Sequence, residues 1–256
     1  GTINVSASDD GIHAEISLTI KAGDITVASS YEGIEAMLID IYGGTVNVTA
    51  SDDGMNASGG LATQTDNEGA AISTTAYYNN KEYSYELYIK GGDITVNSEG
   101  DGLDSNGSLY ISGGTTKVFG PSNGGNAAFD IGEQNCTFSI TGGTVIATAG
   151  SSDMSIAPTT NSGQSYVVFS TSLSANSDVT ISDGTTFTIP KAATYVFVSS
   201  PDVTSGDSYT LTSGQISASA TAGVNTSGGF NGPDSMGGPG NMGSPGNMGG
   251  PGGMGF

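Results

Sequence analysis

The chain has 256 residues, with 25 acids against five basic groups, all lysine, and a net charge of −20. That balance argues against nucleic acid and anionic membrane surfaces as direct partners, since both need cationic contacts. It favours cation binding, or solubility outside a cell. A single cysteine, Cys136, excludes an intrachain disulfide framework, and no run of 18 apolar residues is present to span a membrane.

Glycine is the commonest punctuation, at 42 residues, and no useful 3.6-residue apolar period appears. Gly1 to Ala14 reads GTINVSASDDGIHA, and the pattern returns as GDITVASSYEGIEA from Gly23, GGTVNVTASDDGMNA from Gly43 and GDITVNSEGDGLDS from Gly92. Val5, Val27 and Val48 are 22 and 21 residues apart, and Val96 and Val118 are 22 apart. A repeat of that length, made of short β runs broken by glycine, predicts a solenoid. The expected fold is all-β: a right-handed, single-stranded parallel β-helix with three short strands per turn of about 22 residues.

In the first turn Thr2 to Val5 alternates, Ala7 to Gly11 turns the chain, Ile12 to Ala14 extends, and Leu18 to Ile20 closes the turn. Alternation places Ile3, Val5, Leu18 and Ile20 inside. Each such buried side chain contributes about 1.5–3 kcal/mol. The second turn closes at Ile39-Asp40-Ile41. In the third the period breaks: Ile34 to Ile39 is five residues, but Met55 to Leu87 is 32. The excess is an excursion at about residues 58–84, with Asp66-Asn67-Glu68 and the tyrosines Tyr77, Tyr78, Tyr83 and Tyr85. Insertions on solenoids gather on one face, often the binding face. Tyr83 and Tyr85 share the inward phase of their strand.

The pattern resumes over residues 87–111, continues through Phe129 and Asp130, and restarts at Gly142. Residues 1–164 are therefore expected as solenoid turns. Residues 165–225 read as plain strands, from Tyr166 to Phe169, Val179 to Ile181, Phe187 to Ile189, Tyr195 to Val198 and Tyr209 to Leu211, expected to cap an otherwise open end. Residues 226–256 are a Gly/Met/Pro tract too poor in apolar side chains to fold by itself. Gly1 stands inside a repeat, so a natural start with any export signal is expected upstream.

Aligning the turns puts Asp10, Glu32, Asp53 and Asp101 in one row, and His13, Glu35, Asn56, Asp104 and Asp130 in the next. Neighbouring strands lie about 4.8 Å apart. Two bare carboxylates at that spacing repel by about 3–4 kcal/mol at an effective dielectric near 20. A file of them must protonate or hold cations. One Asp-Gly alone is an ordinary turn, but two matched rows of oxygen ligands suit several Ca²⁺ ions, which take about six to eight oxygens. Asp9 and Asp52 precede the first row and could add ligands. Zn²⁺ lacks His and Cys partners.

Tyr88 and Tyr110 alternate with inward Leu and Ile, so they point outward one turn apart. Such rings can lie against sugar rings, or pair across turns for stability alone. Tyr31, Tyr77 and Tyr78 are the other carbohydrate-facing candidates. His13 has no nucleophile beside it for a triad. Asp53, Asp101 and Asp104 leave a carboxylate-pair hydrolase open. A lyase base would have to be a lysine, and Lys21 and Lys90 follow the Leu-x-Ile strand, away from the acids.

The segments Ser29 to Glu35, Ala50 to Ala57 and Asn97 to Gly107, with Ala127-Ala128-Phe129-Asp130 and Ile156-Ala157-Pro158, resemble the carbohydrate-binding parallel β-helix family of clostridial and related cell-surface proteins. The resemblance covers about residues 1–212. It implies a pectate-lyase-like fold with bound calcium, extracellular or at the cell surface, that binds cellulose and acidic sugars such as polygalacturonate (pectin) without established catalysis. This sequence departs from the family in the Tyr-rich excursion and in Met55, where Ile or Leu is expected. The expected chain is thus a calcium-dependent carbohydrate binder, monomeric. The alternatives are a lyase or hydrolase of the same polymers, or a calcium-stabilised scaffold or adhesin.

Overall fold

The computed structural model describes residues 1–62, 74–122, 125–132, 135–150, 156–159 and 162–223. Over them the protein is all-β with several parallel sheets, and no helix is long and apolar enough to cross a membrane. The Asp66-Asn67-Glu68 run and the Gly/Met/Pro tail lie outside the described residues.

Three parallel sheets carry the repeat. The longest takes Thr2–Ser6, Asp24–Ser29, Thr45–Ala50, Asp93–Ser98, Thr115–Phe119 and Thr144–Ala149 in that order. A second stacks Ser17–Ile20, Leu38–Ile41, Glu86–Ile89, Ser108–Ile111 and Phe138–Ile140. A third, shorter sheet stacks Ile12–His13, Ile34–Glu35, Met55–Ala57 and Leu103–Ser105, with Phe129 bridged to Leu103. Each repeat gives one strand to each sheet, so like residues pair: Ile25 with Val46, Val46 with Ile94, Leu87 with Leu109. Their side chains join one core with Val27, Ile39, Val96 and Phe129.

Glycine sets how closely the turns approach. Gly44, Gly92 and Gly114 open successive long-sheet strands with φ of 101°, 103° and 78°, a region that side chains disfavour. In the acid-Gly-apolar turns the limit is space. A Cβ on Gly33 would sit 2.2 Å from the Gly54 oxygen, and one on Gly54 would sit 2.1 Å from Val96 Cγ1.

Two inward assignments change. Ile3 is 49% exposed, because the Thr2–Ser6 strand is the outer edge of its sheet and nothing packs beyond it. Tyr85 is buried as expected, but Tyr83 is only half-buried, with Lys81 Nζ lying 4.6 Å from its ring centre. The excursion folds back as a three-stranded antiparallel sheet of Leu61–Ala62, Thr75–Tyr78 and Lys81–Ser84, over a small core of Met37, Ala76 and Tyr85.

Past Thr144–Ala149 the strand direction reverses. Ala193–Ser199 pairs antiparallel to it, Tyr166–Leu173 pairs onto Ala193–Ser199, and a separate antiparallel sheet holds Thr186–Ile189, Ser177–Ile181, Ser208–Ser213 and Ile216–Thr221. A second core, with Phe119, Ile146, Phe169 and Phe187, lies between this sheet and the outer side of the long one.

Candidate functional site

Both acid rows form. Backbone N–H groups of Gly11, Gly33 and Gly54 donate to the carbonyls of Glu32, Asp53 and Asp101 at 2.8–2.9 Å, which fixes the first row. Strand pairing sets His13 beside Glu35, Glu35 beside Asn56 and Asn56 beside Asp104. Asp130 follows, its N–H donating to the Leu103 carbonyl at 3.0 Å. The eight oxygen-bearing residues Asp10, Glu32, Glu35, Asp53, Asn56, Asp101, Asp104 and Asp130 therefore share one face. Asp9 is exposed at its margin, and Asp52 holds the phenol of Tyr31, which is 51% exposed.

The rows differ from end to end. At the first turns His13 Nδ1 lies 2.8 Å from Glu35 Oε2 and 3.0 Å from Asp10 Oδ2. Burial works to lower the His13 pKa, but the Glu35 hydrogen bond and the charges of Glu35, Asp10 and Glu15 outweigh it and raise it. Ser58 Oγ donates to the other Glu35 oxygen at 2.8 Å. Ligand atoms of Asp10, His13 and Glu35 lie within 4.8 Å of one another, close enough to share a metal ion. His13 thus joins the candidate ligands; the row alignment had already shown it there, and only its imidazole character set it apart.

Further along, burial and like charge dominate the row. Burial, then the charges of Glu35 and Asp53, push Glu32 up to about 7. Burial pushes Asp53 up to about 6 and Asp101 up to about 7, even though Asp53 Oδ1 accepts the Asp101 N–H at 2.7 Å and Asp101 accepts the Ala127 N–H. Burial, then the charges of Asp53, Asp130 and Asp101, holds Asp104 well above the usual carboxylate range. Carboxylates driven this way by desolvation and like charge are undercompensated.

Asn56 marks the centre of this stretch. It is 7% exposed, and its Nδ2 donates to Glu32 Oε2 at 3.1 Å and Asp53 Oδ2 at 3.4 Å. Its Oδ1 is buried with no hydrogen-bond partner among the described residues. An orphaned buried acceptor costs about 1–3 kcal/mol. Set among carboxylates, it supplies the neutral oxygen that a hard cation takes beside charged ones. These donors are of the kind a hard divalent ion takes, but among the described residues the acid and imidazole ligand atoms that meet within 4.8 Å are those of Asp10, His13 and Glu35.

The tyrosine face lies on the second sheet. Tyr88 and Tyr110 pair in register and stack, with centroids 4.8 Å apart and planes 11° apart. Neither ring stands free: both are half-buried, the Tyr88 hydroxyl donates to Glu86 Oε2 at 3.0 Å, and Lys90 Nζ lies 4.7 Å over the Tyr88 ring. Lys90 also pairs with Asp40 at 2.7 Å and lies 4.5 Å over Tyr42. Tyr42, 50% exposed, is the open ring of this patch. It follows Ile39-Asp40-Ile41 as Lys90 follows Leu87-Tyr88-Ile89 in the next turn, a signal present in the alignment but hidden by the change of residue type. Tyr77 is 45% exposed, and Tyr78 is half-buried against the Met37–Ala76–Tyr85 core.

A family profile described as "Carbohydrate-binding domain-containing protein" matches residues 1–86. No curated protein and no solved structure matches the chain. The match takes in Asp10, His13, Glu32, Glu35, Asp53 and Asn56 but not the later acids or the Tyr88–Tyr110 stack, so a carbohydrate-binding domain is present over about the first third of the chain.

Proposed function

We propose that this chain is a calcium-dependent, non-catalytic carbohydrate-binding protein that acts outside the cell on acidic cell-wall polysaccharide such as polygalacturonate, with cellulose as a second ligand. Its fold on this reading is a right-handed parallel β-helix; nearly all parallel β crossovers share that hand. The reading is supported most by one observation: an orphaned, buried Asn56 oxygen in the middle of a file of undercompensated carboxylates. The family match over residues 1–86 supports the saccharide side of it.

The physical logic is charge bridging. A chain of net charge −20 repels a polyuronate until divalent ions shared between the two sets of carboxylates offset the repulsion. Tyr31, at the margin of the acid face and tethered to Asp52, offers a ring to a sugar held there, and Tyr42 and Tyr77 are the other open rings.

Retention on immobilised polygalacturonate tests this directly. It is expected in Ca²⁺, lost in chelator and restored by added Ca²⁺. Retention indifferent to chelator rejects the bridging mechanism. Unsaturated or new reducing-end products after long incubation would make the chain a lyase or hydrolase instead. A calcium-raised melting temperature with no glycan retention would make the ions purely structural.

A further inference from the structure

We propose a second binding site, for a neutral saccharide, in the groove where the outer side of the long sheet meets the C-terminal antiparallel sheet. The groove has a volume of about 440 Å³, within the range of roughly 300–1,000 Å³ usual for small-molecule sites. The proposal rests on the carbohydrate-binding reading but not on calcium, since the groove is built from residues outside the acid rows.

The alternation that buries Val48 and Val96 turns Asn47, Thr49, Thr95 and Asn97 outward onto this wall. None of these four side chains hydrogen-bonds to another described residue, and Asn97 Oδ1 is buried without a partner. The opposite wall carries the exposed amide of Asn176, on a turn at φ 60°, and Thr188, whose hydroxyl donates to Asp178 Oδ1 at 2.6 Å. Phe119 and Pro190 supply apolar surface between the polar groups.

The ligand class follows from this lining. No charged side chain lines the groove, although the chain carries 25 acids. An anion would meet the repulsion of the whole molecule, with Lys117 beside Thr95 and Lys191 beside Pro190 as the nearest cations, the second already paired with Glu99. A purely apolar ligand would strand the amides and hydroxyls, which is costly when they are desolvated. A polyhydroxylated neutral ring matches both features: its hydroxyls donate and accept against amide and threonine groups, and its C–H faces suit Phe119 and Pro190.

The groove is also preformed. Lys191, directly after Pro190, donates to the carbonyl of Ser98, directly after Asn97, and lies 3.4 Å from Glu99 Oε1. Phe119 is packed from behind in the core that holds Val179, Phe187 and Ile189. Walls fixed this way lose little freedom on binding.

The test titrates cellohexaose and xylohexaose into the full chain in EDTA, followed by calorimetry and by backbone amide shifts. Binding of one or both is expected, with shifts at Thr49, Asn97, Asn176 and Thr188. Thr49→Trp, which fills the groove, and Asn97→Ala, which removes the orphaned amide, should each weaken it at least tenfold with an unchanged melting temperature. Both variants should keep calcium-dependent polygalacturonate retention. No binding of either sugar, shifts confined to other faces, or wild-type affinity in both variants would overturn the proposal. Absence of polygalacturonate retention by the wild type in Ca²⁺ would sink the bridging reading and leave the hexasaccharide result standing.

Discussion

The two ends of the acid file occupy equivalent backbone positions and yet are balanced to different degrees. At the first turns, Asp10 and Glu35 close on an imidazole at 3.0 and 2.8 Å, so the chain supplies part of the counter-charge, although burial and Glu35 still raise Asp10. In the later turns Asp53, Asp101 and Asp104 feel the repulsion of one another and of Asp130, and all three are pushed upward in pKa. Stacking fixes where the groups go; the residue on each rung decides whether the protein or the solvent must neutralise them. Those positions are the ones at which an ion has the most to offer.

The largest expected effect tests the uncompensated end. At a calcium concentration 100 times its dissociation constant, an ion bound only to the native state stabilises by about 2.7 kcal/mol, or roughly 5–10 °C for a chain of this size. Asp104→Asn should remove most of that rise. In chelator at pH 8 the same variant should melt higher than wild type, because a desolvated negative charge is gone. Calorimetry in the two buffers reads both signs, and the same sign in both would break the comparison.

Next comes pH. Folded pKa values of about 6 to 7 for Asp53, Glu32 and Asp101 lie above their ordinary 3.8–4.5. The native state then binds more protons than the unfolded one between those limits, so stability falls as pH rises. Metal-free protein should be most stable near pH 4 and lose several degrees of melting temperature by pH 7.5. Saturating Ca²⁺ should flatten the profile, and a profile flat without metal would contradict the electrostatic account.

A smaller effect is expected at Asn56. Asn56→Asp replaces an amide that donates to Glu32 and Asp53 with another negative group. In chelator near neutral pH it should cost about 1–3 kcal/mol, with Ca²⁺ recovering much of the loss. An equal loss in both buffers would show the amide to be structural only.

The smallest effect belongs to the end that carries the imidazole. Because the folded His13 pKa is raised, the stability it contributes is full below about 6.5 and fades as pH rises through the folded value. The group is 40% exposed, so His13→Ala should cost no more than about 1 kcal/mol at pH 5.5 and almost nothing at pH 8. Chemical denaturation at the two pH values measures the difference.

Much of this was legible in the sequence because repetition converts spacing into adjacency. The offset between Val5 and Val27 carries Asp10 onto Glu32 and His13 onto Glu35, and Leu87-Tyr88-Ile89 against Leu109-Tyr110-Ile111 yields the ring stack. The alignment was silent where a contact is not between equivalents. Lys90 reaches across to lie over both Tyr88 and Tyr42, and Tyr42, 50% exposed, stands in a place its neighbours give to lysine. Ile3 alternates correctly but has no neighbour on its outer side. The Asn56 oxygen is orphaned by the orientation of one amide, which no pattern encodes. The groove joins Asn47 and Asn97 to Asn176 and Thr188, residues unrelated by the repeat.

The glycines that admit no Cβ between turns have a consequence for length. With Gly33 against Gly54 and Gly54 against Gly102, the vertical step of the molecule is set by bare backbone contact and cannot stretch. The number of stacked acids therefore grows by whole units rather than by degrees. A chain lengthened by one duplicated module, from Ala22 to Tyr42, would gain one more pair of acids at the same height interval, and counting bound ions against modules would turn the molecule into its own ruler.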